Sequence, residues 1–221
     1  MCFNEFGSLE DTLTKVYIFL NKNSINFEIF VVEDGSTDGT KELCEKLLLK
    51  FDWLKVIFHE KNKGIGETLR SIHSNASKKW VVNVPADGQF DMNDLIGISL
   101  SEFQFVAFYR HENLVYNTKR NFLTWINKAI LRYVIGINVI DVNWVKVYPA
   151  IFFHNNKVIL KSSLVESEIV FKLLKANYKI VELPSKYLPR EKGNSKGASF
   201  NVIKKAFNDM FKLILVTRYA K

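Results

Sequence analysis

Two cysteines in 221 residues, Cys2 and Cys44, are too few for a disulfide framework, and neither has the CxxC or histidine spacing that holds zinc. A reducing compartment follows as the default, and the expected location is the cytoplasm. No apolar run approaches the roughly 18 to 20 residues needed to cross a bilayer. The amino terminus lacks the basic and apolar regions of a signal peptide. The chain therefore reads as soluble, or as peripheral on the cytoplasmic face of a membrane. Internal repeats and low-complexity tracts are absent, as are zinc-finger spacing and an RNP-like run. The net charge of +8 suits polyanions. Nucleic acid, an anionic membrane surface and a diphosphate-bearing substrate all qualify, and charge alone does not choose among them, although no nucleic-acid-binding module is visible.

What is present is core material: 48% apolar residues and 14% aromatics, enough for one sizeable domain. The organising stretch is Glu28 to Thr40. Ile29, Phe30, Val31 and Val32 form the continuous apolar run of a strand buried on both faces, and the run stops at Glu33 and Asp34. Asp34-Gly35 breaks the strand, and Asp38 with Gly39 caps the helix of Leu43 to Phe51. Ligands of open α/β sheets sit outside the carboxyl ends of the strands, which is where these two acids stand. Trp80 to Val84 repeats the arrangement, ending at Pro85-Ala86-Asp87-Gly88-Gln89. As isolated features, both stretches are also ordinary capped turns.

Elsewhere the patterning alternates strand and helix, which predicts a mostly parallel central sheet flanked by helices. Ser8 caps an apolar-faced helix through Leu20, with Asp11 as its partner. Leu54 to His59 is a strand and Glu67 to Lys78 a helix. A helix is expected over Asp91 to Glu102, and a strand over Phe105 to Tyr109 ending at Arg110. A long helix follows over Asn117 to Ile135. Asp141 to Tyr148 alternates like a strand with one wet face. Leu164 to Ala176 reads as a helix, Lys179 to Leu183 as a strand, and Glu191 to Gly197 as a loop that orders over a charged ligand. Residues 200–221 form a carboxyl-terminal amphipathic helix, packed on the 1–199 domain or lying in a membrane interface.

Five motifs stand in order: Phe3-Asn4-Glu5, Glu33 to Thr40, Asn62-Lys63-Gly64-Ile65-Gly66, Ala86-Asp87-Gly88-Gln89, and Arg190 through Lys196. Together they resemble the signature of family 2 glycosyltransferases of the GT-A fold, nearest to the dolichol-phosphate mannose and polyprenyl-phosphate glucose synthases. The resemblance implies a single GT-A domain whose first strand is truncated here, since Asn4-Glu5 normally follows that strand. Either the reading frame starts upstream of Met1, or the sheet closes without the strand and leaves backbone groups unpaired.

The resemblance further implies an inverting, metal-dependent transfer from a UDP- or GDP-sugar to a polyprenyl phosphate or a glycan. Asp87 matches the second acid of the family's Asp-x-Asp motif, and Gln89 the amide that joins it in holding Mg²⁺ or Mn²⁺; Pro85 replaces the first acid. Asp34 would accept from the base, with Glu33 or Glu5 near the ribose and Asn4 and Gly64 in the same nucleotide pocket. Arg110, Arg190, Ser195 and Lys196 match phosphate-contacting positions. A hydroxyl acceptor needs a general base, for which Glu168 is the candidate, ahead of Glu166. A lipid phosphate needs none. Pro85 and the shortened first strand also suit a non-catalytic sugar-nucleotide binder.

Overall fold

The short apolar runs at Ile29–Glu33, Leu54–Phe58 and Trp80–Val82 become strands. The computed structural model describes residues 1–111, 125–190, 208–215 and 217. Helix α1 (Leu9–Lys22) precedes β1 (Ile29–Glu33), α2 (Thr40–Lys50), β2 (Leu54–Phe58), α3 (Ile65–Asn75) and β3 (Trp80–Val82). Strand β4 (Gln104–Arg110), β5 (Lys146–Pro149), α4 (Ala150–Asn155), α5 (Val165–Lys175) and β6 (Lys179–Ser185) complete the order.

Strands β1 and β2 pair in parallel, and a four-stranded sheet runs β3-β5-β4-β6. Parallel pairing holds for β1–β2 and β4–β6, whereas β5 runs antiparallel to both its neighbours. The four-stranded sheet is thus mixed, with β3, β4 and β6 pointing one way and β5 alone reversed. Of a first strand there is one parallel bridge, Cys2 with Glu33: Cys2 N donates to the Val32 carbonyl and Asp34 N to the Cys2 carbonyl, both at 2.9 Å.

Several expected elements come out differently. Ser8 precedes α1 but makes no capping bond; its hydroxyl donates to Glu5 Oε2 instead. Asp38, by contrast, does cap α2, Oδ1 accepting from Thr40 N at 3.1 Å. Over Asp91 to Glu102 there is only a 3-10 turn at Met92–Leu95, because Ile96 is extended and Gly97 takes a left-handed φ of 76°. The helix expected over 117–135 is described from 125, and its last turn, Leu131–Ile135, widens to a π-helical turn. In the segment 141–148 only Asn143 is exposed: Lys146 is 1% exposed, its Nζ held by Glu166 Oε2 and the Val142 and Trp144 carbonyls. Polar alternation misleads there because a buried lysine is fully paired. Tyr148 donates to the same Glu166 oxygen, and burial together with that carboxylate raises its pKa well above the usual phenol range.

The largest core cluster packs β4, β5 and α5 against α3 and residues 208–215, with Leu213 fully buried. Met210 and Ile214 pack against the same cluster, while 200–207 lie outside the described residues. In the same interior His73 stacks on Phe153 with ring centroids 3.4 Å apart, and burial pushes its pKa down to about 3.

That depression makes stability pH-dependent. The unfolded chain takes up a proton at His73 near pH 6.5 and the folded chain not until about 3, so acidification through this window favours unfolding. His73→Phe keeps the stack and removes the proton. Between pH 6.5 and 5 the variant should lose a slope of up to about 1.4 kcal/mol per pH unit relative to wild type, read by urea denaturation.

Candidate functional site

The rim of the two sheets holds a cavity of about 280 Å³, lined among others by Glu5, Asp34, Asn62, Gly64, Pro85 and Asp87. Acids from three separate motifs therefore meet in one place. A larger cavity of about 360 Å³ lies behind Gly88, between α1 and the turn at Met92; its walls are mostly apolar and it contains none of those acids.

At one end, Asp34 is a hub. Its Oδ1 accepts from Lys63 N and pairs with His59 Nδ1, and its Oδ2 accepts from Gly64 N, at 2.9, 2.7 and 2.9 Å. Gly35, at φ 67°, packs so closely that a Cβ would stand 2.5 Å from the Lys61 carbonyl carbon. Only glycine lets the strand end and the 61–64 loop touch here. Glu33 points inward: it is wholly buried, Oε1 takes the Ser36 N–H at 2.6 Å, and Oε2 has no partner. Asn4 is on the rim at φ 55°, bonded through Oδ1 to Thr37 N. Cys2 forms part of the wall, and burial pushes its thiol up to about 12, so it is no nucleophile near neutral pH.

At the other end, Arg190 joins two acids. Its Nη2 bonds Glu5 Oε1 closely and stands 3.6 Å from Asp87 Oδ2. Leu188, just before it, is tied to the acid loop: Leu188 N donates to the Gln89 carbonyl and Gln89 Nε2 donates to the Leu188 carbonyl. Gln89 N also donates to Asp87 Oδ1 at 3.2 Å. One carboxylate and one amide oxygen are hard donors of the kind Mg²⁺ and Mn²⁺ take when phosphate and water supply the rest. The donor set fits such a cation, although no cluster of three acids, histidines or cysteines exists among the described residues.

Other expected site residues are placed elsewhere. Arg110 is bound in a fork to Asp141, at 2.7 and 3.1 Å, and lies over the Trp144 ring. Ser195 and Lys196 lie outside the described residues. Glu168 is fully buried; its carboxylate takes the Ile159 and Leu160 N–H groups and Lys172 Nζ. Both acids expected as a general base are thus bonded within the core, Glu168 to backbone and Lys172, and Glu166 to Lys146 and Tyr148. Two residues at the hub were not singled out from sequence, His59 and Ser71. Strand register could have found the first: with Glu33 opposite Phe58, the next residues on each strand are neighbours.

Residues 1–99 match the family model described as glycosyl transferase family 2. Over 99 residues the chain is 30% identical to a dolichyl-phosphate beta-glucosyltransferase of Saccharomyces cerevisiae, covering 42% of this chain and 30% of that protein. It is 33% identical over 92 residues to a poly-beta-1,6-N-acetyl-D-glucosamine synthase of Staphylococcus aureus, covering 42% and 21%. The chain thus spans less than a third of either relative. Among solved structures, glucosyl-3-phosphoglycerate synthase of Mycobacterium tuberculosis with UDP superposes with TM-score 0.67 at 14% identity, over 98% of this chain and 77% of that one. A mannosyltransferase of Pyrobaculum calidifontis with GDP-mannose and Mn²⁺ gives 0.60 at 13%, over 99% and 72%. The architecture is the GT-A fold.

Glu168→Gln tests the backbone role. Loss of charge-assisted bonds to two buried N–H groups should lower unfolding free energy by about 1–3 kcal/mol in urea, with the far-UV circular dichroism of the folded state unchanged. A variant as stable as wild type would show that the carboxylate is dispensable to the fold.

Proposed function

Since residues 1–99 match the model of glycosyl transferase family 2 and the chain has the GT-A fold, we propose that the protein transfers a sugar from a UDP- or GDP-sugar to an acceptor at this rim. The observation that carries the reading is the shared cavity of Asp34 and Asp87. Asp34 takes the base, Glu5, Asn4 and Gly64 frame the nucleoside, and Glu33 supports the rim from beneath.

Asp87 and Gln89 would hold the cation, Mg²⁺ or Mn²⁺, which when bound supplies Lewis-acid neutralisation of the leaving diphosphate. Arg190 is placed to follow the phosphate oxygens, with which a guanidinium makes paired bonds. In the reaction the acceptor oxygen forms a bond to the anomeric carbon. The bond from that carbon to the diphosphate breaks, its electron pair leaves with the nucleoside diphosphate, and the configuration inverts.

With Glu168 and Glu166 occupied, the acceptor best served is one that arrives ionised. A polyprenyl phosphate does, which agrees with the name of the yeast relative; a glycan hydroxyl is the second choice. Approach to a lipid acceptor suits the exposed Trp125, Tyr133 and Val134, which stand beside Lys128 and Arg132. No described helix is long and apolar enough to cross a membrane. Pro85, in place of a second loop carboxylate, favours one rival, a binder without turnover.

A thermal-shift screen of UDP- and GDP-sugars with and without Mn²⁺ separates these readings. One class should raise the melting temperature by several degrees at about 100 Kd, and only with the cation. Asp87→Ala should abolish the cation requirement together with most of the shift. If neither class stabilises wild type, the donor reading fails. Stabilisation with no release of nucleoside diphosphate on adding polyprenyl phosphate or a glycan supports the binder.

A further inference from the structure

Parallel register brings Asp34 and His59 out of β1 and β2 side by side, 4% and 7% exposed. The imidazole is held at both nitrogens. Nδ1 lies 2.7 Å from Asp34 Oδ1, and Nε2 lies 2.9 Å from Ser71 Oγ on α3. A carboxylate only accepts, so Nδ1 carries the proton toward Asp34, and Ser71 Oγ is the partner of Nε2. His59 N also donates to the Glu33 carbonyl, fixing the base of the side chain.

The acceptor positions of Asp34 can be counted. An ionised carboxylate has about four. His59 and Lys63 N fill two on Oδ1, and Gly64 N fills one on Oδ2. One position remains, on Oδ2, in a side chain that lines the cavity. Gly35 packed on Lys61 prevents the strand end from shifting to change that count.

We propose that His59, held by Ser71, is the positioning residue that sets nucleobase selectivity. By locking Asp34 with a single acceptor position, it makes the pocket take a base edge that presents a ring N–H, of uracil or guanine type. A cytosine-type edge, with a lone pair on the same ring nitrogen, binds only by shifting. The inference rests on the donor reading above and adds the residue that enforces it. Without the imidazole, Oδ1 regains a free position and the carboxylate turns to suit either edge.

The test is calorimetric titration of UDP, GDP and CDP, each with Mn²⁺, into wild type, His59→Asn, His59→Phe and Ser71→Ala. Wild type should bind UDP or GDP at least tenfold tighter than CDP. His59→Asn, whose amide N–H replaces Nδ1–H, should keep most of that ratio. His59→Phe and Ser71→Ala should each reduce it threefold or more, with the affinity for inorganic pyrophosphate unchanged, because pyrophosphate touches only the other end of the cavity. Ser71 is a half-buried helix position, so its alanine variant keeps the test open if His59→Phe fails to fold. An unchanged ratio in His59→Phe or Ser71→Ala, or CDP bound as tightly as UDP and GDP by wild type, overturns the proposal. The first result leaves the donor reading standing. If wild type binds none of the three, the donor reading falls and this inference with it.

Discussion

The Asp34 carboxylate is the constraint on which the rest of the rim depends. It gathers two backbone N–H groups of the 63–64 turn and the His59 ring, so one side chain stitches the end of β1 to the end of β2 and to the start of α3. These bonds are charge-assisted and buried, the setting in which removing a partner is most costly. The close approach of Gly35 to Lys61 follows from the same stitch. The cavity is thus a consequence of how three elements are tied together rather than a gap left between them.

A second buried region obeys the same accounting. Residues 158–162 belong to no sheet, yet Val158, Leu160 and Ser162 are buried. Their backbone groups find partners in side chains: Glu168 takes two N–H groups, Asp209 takes those of Lys161 and Ser162, and Arg70 donates to the Val158 and Leu160 carbonyls. Gly66 N reaches the Lys161 carbonyl, and a Cβ on Gly66 would come within 2.2 Å of the Leu160 carbonyl oxygen. Buried irregular backbone must be satisfied group by group. The cost to interpretation is that acids with this task resemble catalytic acids when read as letters, and Glu168 is the example.

Legibility followed the range of the physics. The strand ends at Glu33-Asp34 and Ala86-Asp87 were readable because an apolar run ending at an acid and a glycine is local information, and the folded chain puts Asp34 and Asp87 into one cavity. His59 was not readable as a site residue because its partner is 25 residues away in sequence and depends on strand register. The burial of Lys146 within the alternating segment Asp141 to Tyr148 was not readable because its pairing with Glu166 is tertiary. The helix expected over 91–102 failed at Gly97, whose left-handed φ was invisible in a pattern built on apolar spacing.

The Glu5–Asp87 end of the cavity follows a different logic from the Asp34 end. Asp34 is engaged by fixed donors, whereas Glu5 and Asp87 share one long cation from 185 positions along the chain from Glu5. The grip is uneven: Arg190 bonds Glu5 closely and Asp87 only at 3.6 Å. An arginine anchored on Glu5 can swing away from Asp87 without losing its main partner. On the transferase reading, that swing frees Asp87 for a cation at the moment when a diphosphate offers the guanidinium new oxygens. Uncompensated charge in a half-buried site is expensive. A single residue that neutralises the acids before the donor arrives and the phosphates afterwards keeps such charge from appearing at either stage.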